Sequence, residues 1–129
     1  MHLMADGCAD MCRAELGRYK FKDVDFTVYS TDVLDRLLSK GHSLSLSKMT
    51  YARTLLCLLL KEEGVGRCLY LDCDTLVTNF GVDALYDLDL KGRYAAVCDD
   101  VSMACFNRKE LEDCGVKRYF NAGVILFDV

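Results

Sequence analysis

Three short apolar runs, each joined at one end to acidic or amide side chains, are the feature of this sequence that most constrains its fold. The runs and their neighbours are 68–71 before Asp72, 94–98 before Asp99 and 124–127 after Asn121. Apolar runs of this length are typical of buried strands in an α/β sheet. Ligands of such open sheets bind beyond the carboxyl ends of the strands, and Asp72, Asp74, Asp99 and Asp100 all fall at such ends.

The rest of the chain alternates between strand and helix patterns. We predict strands at 2–5 and 24–29, and helices at 9–19, 32–38 and 48–63. Ser47 is a plausible N-cap of the last helix, and Gly64 is a plausible stop. There is no proline in the 129 residues and no low-complexity linker. The pattern therefore predicts one α/β domain over residues 1–129, with a largely parallel sheet flanked by helices.

Composition and charge exclude several classes of function. The net charge of −4 and the scattered 16 Lys and Arg residues argue against nucleic-acid binding. The longest strongly apolar stretch, 55–60, is far short of the roughly 20 residues that span a bilayer. The eight cysteines form no CxxC pair. With no visible secretory signal, they favour reduced thiols in a cytoplasmic protein, and a disulfide framework is the alternative.

The segment LYLDCDTLV carries the clearest chemical signal. In extended backbone, residues two apart point the same way, so Asp72 and Asp74 can aim both carboxylates at one point. Carboxylates this close repel each other unless a hard divalent cation, Mn²⁺ or Mg²⁺, lies between them. Such a cation would also attract a diphosphate. The alternative is a pair of solvated acids in a turn.

Four motifs in order resemble family eight of the glycosyltransferases. They are TYAR at 50–53, LYLDCDTLV at 69–77, AAVCDD at 95–100 and YFNAGVILFDV at 119–129. The resemblance implies a GT-A fold, which is a Rossmann-like nucleotide-binding sheet. It also implies transfer of a hexose from a UDP-sugar to an acceptor hydroxyl, of glycan or lipopolysaccharide type, with retention at the anomeric carbon.

The resemblance also implies a role for individual residues. Asp72 and Asp74 would hold Mn²⁺ against the UDP phosphates, with Asp72 also near the ribose. Arg53, from the YAR motif, would contact the donor, and Asp99 would bind a hydroxyl of the donor sugar. Asn121 and Ala122 would line the sugar pocket, and no catalytic nucleophile is assigned. From their placement at strand ends, we expect Asp99 and Asn121 to open onto the same cleft as Asp72 and Asp74.

Simpler structural explanations stay open for three of these residues. Arg53 is also typical of a helix surface, Asp99 of a cap, and Asn121 before Ala-Gly of a turn. His2 and His42 are read as ordinary surface or loop residues.

Two parts of the family pattern are missing from these 129 residues. The family domain opens with a further strand and motif that help hold the uracil ring. It also carries a late His, in an HxxGxxKPW-like stretch, that completes the metal shell. We therefore expect a fragment truncated at both ends, which by itself binds metal and UDP weakly and transfers no sugar.

Two other interpretations compete with this one. An apolar strand ending in DxDxT is also the signature of haloacid-dehalogenase-like phosphatases, with Asp72 as nucleophile and Asp74 as acid/base. Only 24 residues separate Asp74 from Asp99, which leaves little room for the other motifs of that family. The non-enzymatic interpretation is an inactive, truncated binding domain.

Overall fold

A computed structural model describes residues 1–32, 48–79, 81–102 and 108–129. Most of the predicted helix at 32–38, the predicted cap Ser47 and His42 lie outside the described residues. The chain divides into two compact units, Met1–Leu58 and Leu59–Val129. Within the described ranges, no helix is both long enough and apolar enough to cross a membrane.

The first unit contains a small parallel sheet. Its elements are β1 (His2–Ala5), α1 (Ala9–Leu16) and β2 (Thr27–Ser30). β1 and β2 pair in parallel, from His2 opposite Thr27 to Ala5 opposite Ser30. β2 begins at Thr27, later than the predicted residue 24, where its pairing with His2 of β1 begins. Thr31 is buried just beyond β2, and its hydroxyl donates to Asp6 Oδ1 at 2.6 Å.

Helix α2 (Lys48–Glu62) is amphipathic and ends where the sequence predicted. Its buried side chains, Ala52, Leu56 and Leu60, are spaced four residues apart and so form one stripe along the helix. Gly64 follows the helix at φ +77°. Its N–H and that of the next residue bond back to carbonyls of the last turn at 3.0 and 2.9 Å. This is a Schellman ending, which needs a left-handed residue and therefore favours glycine.

The second unit contains a three-stranded sheet with the candidate site at one edge. Its elements are β3 (Arg67–Leu71), α3 (Val82–Tyr86), β4 (Ala95–Asp99), α4 (Arg108–Asp113) and β5 (Phe120–Asp128). The strand order is β3-β5-β4, so β5 is central. The centre of β5 is buried at Ile125 and Leu126. The α/β class predicted from the sequence is confirmed.

The direction of β5 corrects the expectation of a largely parallel sheet. β5 runs antiparallel to both β3 and β4, because the chain after β4 returns along the same edge instead of crossing to the opposite one. The start of β5 therefore meets the ends of β3 and β4. A parallel β5 would have carried Asn121 to the far edge of the sheet.

A bulge separates the two sides of β5. Val97 of β4 lies opposite Ile125, but the next β4 residue, Cys98, lies opposite Asn121. Residues 122–124 of β5 therefore have no counterpart in β4. On the other side, Val124 still pairs with Leu71 at the end of β3. β5 thus offers different residues to its two neighbours at the edge where the polar side chains collect.

Candidate functional site

Asp72 is the first residue beyond β3, and its backbone is tied to β5. Its N–H donates to the carbonyl of Gly123 at 2.8 Å, which extends the strand pairing by one residue. The side chain is half-buried. Its Oδ1 accepts a hydrogen bond from the hydroxyl of Tyr70 at 2.5 Å.

Gly123 makes room for the Asp72 carboxylate. A Cβ at position 123 would lie 2.8 Å from Asp72 Oδ2 and 3.1 Å from Asn121 Oδ1. The first distance is shorter than real Cβ contacts, so any other residue at this position would displace the Asp72 side chain. The close approach of the carboxylate to the β5 backbone therefore requires glycine here.

The amide of Asn121 is oriented at both ends. Its Oδ1 accepts from the backbone N–H of Gly123 at 2.8 Å. Its Nδ2 donates to Asp100 Oδ2 at the longer distance of 3.5 Å, and the Ser102 hydroxyl donates to the other oxygen of Asp100 at 2.9 Å. Asn121 therefore makes a local bond to the backbone, as asparagine does in turns, and it also lines the cleft. Its role toward a ligand stays a prediction.

One cleft collects three of the predicted site residues. Its volume is about 490 Å³, and it is lined by Asp72, Asp74, Thr75, Cys98, Asn121, Gly123 and Val124. Asp74 is exposed in a turn that the Thr75 N–H closes by donating to the Asp72 carbonyl at 3.0 Å. The structure therefore brings Asp72, Asp74 and Asn121 together at the end of β3.

Asp99 lies outside this cleft, contrary to our expectation. Side chains alternate along a strand, and because Cys98 faces the cleft, Asp99 faces the other side of the sheet. There it forms a bidentate ion pair with Arg118, with N–O distances of 2.7 to 3.1 Å. The carboxylate of Asp99 raises the pKa of the Arg118 guanidinium. Both residues line a second cavity of about 660 Å³.

The two remaining predicted residues do not line the cleft in the described structure. Ala122 is half-buried in the bulge of β5. Arg53 is half-buried in α2 and belongs to the first compact unit. Their assignments to the sugar pocket and the donor therefore stay predictions.

The carboxylate oxygens at the cleft suit a hard cation whose other ligands come from substrate or water. Among the described residues, no three His, Cys, Asp or Glu side chains are grouped so as to hold a metal ion. Asp72 and Asp74 supply carboxylate oxygens on one cleft. Mg²⁺ in phosphate-handling sites is commonly bound by one or two carboxylates, substrate phosphates and water, and this donor set matches that pattern.

Three residues around the site were missed by sequence reasoning, namely Tyr70, Arg118 and Gly123. Asp100 was predicted at a strand end but without a role. Tyr70 had a usable signal, since it stands two positions before Asp72 and so shares its face of the strand. Gly123 and Arg118 act across the fold, on partners distant in sequence, and no local pattern reveals such contacts.

The thiols of the described residues are all free. They are Cys8, Cys12, Cys57, Cys68, Cys73, Cys98 and Cys114. The sulfurs of Cys8 and Cys12 are 3.8 Å apart. Whether the isolated protein holds eight reduced thiols stays a prediction for titration.

Comparison with known proteins decides the family. The sequence profile of the family described as Glycosyl transferase family 8 matches residues 14–129, which include the cleft and both acidic strand ends. The chain belongs to glycosyltransferase family 8. This membership leaves the phosphatase interpretation of Asp72 and Asp74 without support.

Two curated relatives agree with the family-8 assignment. General stress protein A of Bacillus subtilis is 28% identical over 105 residues, which cover 81% of this chain and 35% of the relative. A provisionally named glycosyltransferase of Haemophilus influenzae is 33% identical over 86 residues, covering 65% of this chain and 25% of the relative. The matched regions thus span about a third and a quarter of these relatives. No solved structure matches the chain.

Proposed function

We propose that this family-8 chain holds the metal-bound diphosphate of a UDP-hexose during transfer of the hexose to an acceptor hydroxyl, with retention at the anomeric carbon. The observation that carries the proposal is the convergence of Asp72, Asp74 and Asn121 on one cleft at the end of β3. The diphosphate end of the donor is assigned to the carboxylate pair. The acceptor is a glycan or another hydroxyl compound.

The charge of the cleft supports a cation between protein and donor. A diphosphate is anionic, and two carboxylates alone would repel it. Asp72 and Asp74 would hold Mn²⁺ or Mg²⁺, which prefer oxygen ligands. When bound, the ion neutralises the charge that develops on the leaving diphosphate. The protein contributes by keeping the two carboxylates at one place, and the Gly123 backbone leaves the space that Asp72 needs.

The amide and carboxylate side chains near the cleft suit recognition of hydroxyl groups. Asn121 presents an amide whose orientation is fixed by Gly123 and Asp100. Asp99 lies at the same edge of the sheet but on its other face, where it is paired with Arg118. We propose that Asn121 contacts the donor beside the diphosphate. A contact of Asp99 with the donor hexose is proposed from the family motif and not from the geometry of the cleft. Arg53 and Ala122 are proposed donor contacts on the strength of the family motif alone.

The first test is the loss of one carboxylate. We expect Asp74→Asn to weaken the binding of Mn²⁺ with UDP strongly, because the amide removes a charge from the cation's ligands and leaves the size of the side chain unchanged. Isothermal titration calorimetry of Mn²⁺ and UDP into the wild type and the variant measures this.

The matched control is Asp89→Asn in the same compact unit. Asp89 Oδ1 accepts a bond from the Lys91 N–H at 2.8 Å, and an asparagine oxygen can keep that bond. The control should bind as the wild type does. Equal binding by Asp74→Asn and wild type would overturn the assignment of Asp74 to the metal.

A further inference from the structure

We infer that Tyr70 is a positioning residue for the metal site, acting through its hydroxyl on Asp72. The inference rests on the proposed function and adds a residue to it. Tyr70 lies in β3 opposite Ile125 and is half-buried. It precedes Asp72 by two positions, so both side chains emerge on the same face of the extended chain.

The contact between Tyr70 and Asp72 is a short hydrogen bond to one of the two carboxylate oxygens. The Tyr70 hydroxyl donates to Asp72 Oδ1 at 2.5 Å. The other oxygen, Oδ2, lies 2.8 Å from the point where Gly123 would carry a Cβ. The Tyr70 bond thus holds the carboxylate at Oδ1, and the other oxygen occupies the space that is open because Gly123 has no Cβ. Rotation of the carboxylate away from this position would break the Tyr70 bond.

Such a restraint matters most before the cation arrives. Asp72 and Asp74 carry like charges on the same cleft and repel each other, which would turn Asp72 away. The Tyr70 bond opposes that movement. It also draws charge from Oδ1, which by itself would weaken metal binding. The orienting effect dominates in metal sites, since loss of an outer hydrogen bond to a metal ligand typically weakens metal affinity about 10–100-fold.

The test is Tyr70→Phe, which removes the hydroxyl and keeps the ring that packs in the sheet. Mn²⁺ is titrated into ¹⁵N-labelled protein, and paramagnetic broadening of the Asp72, Asp74 and Gly123 amide signals reports binding at the cleft. We expect Tyr70→Phe to need about tenfold more Mn²⁺ for equal broadening. The same spectra show whether the variant is folded, and Tyr70→Leu, which also lacks the hydroxyl, replaces it if it is not.

The chain offers a closely matched control in Tyr86→Phe. The Tyr86 hydroxyl donates to the Arg67 carbonyl at 3.2 Å, at the opposite end of β3 from Asp72. This control should lose a hydrogen bond without changing the Mn²⁺ titration. A purely structural role for Tyr70 predicts equal Mn²⁺ affinity for Tyr70→Phe and wild type, and that result would overturn the inference.

A second variant shows that Tyr70 acts through Asp72. With Asp72→Asn already in place, adding Tyr70→Phe should change the residual Mn²⁺ titration by less than twofold, since the two residues act as one unit. An undiminished tenfold effect in that background would overturn the inference. Absence of cleft broadening in the wild type would instead overturn the proposed metal site, so the two failures are distinguishable.

Discussion

The two acidic strand ends of the second unit look alike in sequence and differ in structure. LYLDCD and AAVCDD both place an acid directly after an apolar strand. At the end of β3, Asp72 is half-buried, bonded to Tyr70 and seated against Gly123. At the end of β4, the Asp99 side chain is 51% exposed and paired with an arginine that is itself 80% exposed.

This difference separates a half-buried carboxylate that accepts a bond from a tyrosine hydroxyl from an exposed carboxylate that is paired with an arginine. Asp72 shares its cleft with a second carboxylate, Asp74. Asp99 is neutralised by Arg118 through a bidentate bond. A strand-end acid therefore has no fixed role, because the residues that the fold brings beside it decide which ligand it suits.

Among the substitutions that test this comparison, the largest effect is expected from Gly123→Ala, which changes the β5 residue beside Asp72. Gly123→Ala would set a Cβ 2.8 Å from Asp72 Oδ2 and push the carboxylate out of place. We expect the affinity for Mn²⁺ with UDP to fall about a hundredfold, the upper range for loss of support to a metal ligand. Calorimetry measures the affinity, and urea denaturation checks that the variant is folded.

Gly66→Ala is the control for this substitution. Gly66 lies just before β3, and a Cβ there would meet nothing within 4 Å. It should bind as the wild type does. If Gly123→Ala also binds normally, the close packing of Asp72 against β5 has no part in ligand binding.

A smaller effect is expected at the β4 end, and it should depend on the sugar. Asp99→Asn should leave UDP binding unchanged, because Asp99 does not line the cleft with Asp72. Binding of a UDP-hexose should weaken about tenfold, the value of one hydrogen bond to a charged group. Calorimetry with UDP and with UDP-glucose and UDP-galactose separates the two effects. Equal losses for UDP and the UDP-hexoses would place Asp99 at the diphosphate instead.

The smallest effect is expected from Arg118→Gln on stability. The Asp99 carboxylate raises the pKa of Arg118 in the folded protein, so the pair's contribution is present below arginine's ordinary pKa and is lost only as the pH rises above it. The effect of the substitution should therefore not vary between about pH 6 and 9. Because the pair is exposed to solvent, the urea midpoint should stay unchanged.

Arg18→Gln provides the comparison for that experiment. Arg18 pairs with Glu15 on an exposed surface of the first unit at 2.8 Å. Both variants should behave alike. A clear loss of stability only for Arg118→Gln would show that the β4 end is stabilised by its ion pair. The ends of β3 and β4 would then both depend on side-chain contacts of their aspartates.

Local sequence patterns predicted where the helices and strands of this fold lie better than they predicted how the strands pair. Periodicity located α2, and its Gly64 ending matches the predicted stop. The short apolar runs located β3, β4 and β5, but β5 proved longer than residues 124–127. Its antiparallel direction could not be predicted, since strand direction depends on how the intervening chain returns across the sheet.

The same limit applies to the site. The two-residue spacing of Asp72 and Asp74 predicted a shared cleft, and Asn121 reaches it because β5 is antiparallel. Asp99 was predicted on the wrong face of the sheet. Neighbouring side chains of a strand point to opposite faces, so the face of Asp99 follows once Cys98 is assigned to the cleft. The bidentate contact with Arg118 joins residues that are 19 positions apart, and no local spacing in the sequence predicts it.

The bulge in β5 acts as an adjustable spacer between the two strand ends. Val124 pairs with Leu71 of β3, whereas residues 122–124 have no counterpart in β4. Adding or deleting one residue there would slide the β3 end past the β4 end by about 3.3 Å, the rise of one strand residue. The length of this three-residue segment therefore sets the distance between the carboxylate pair and Asp99. Changing the length of the bulge alone would change that distance, and with it the size of donor that the two strand ends can contact.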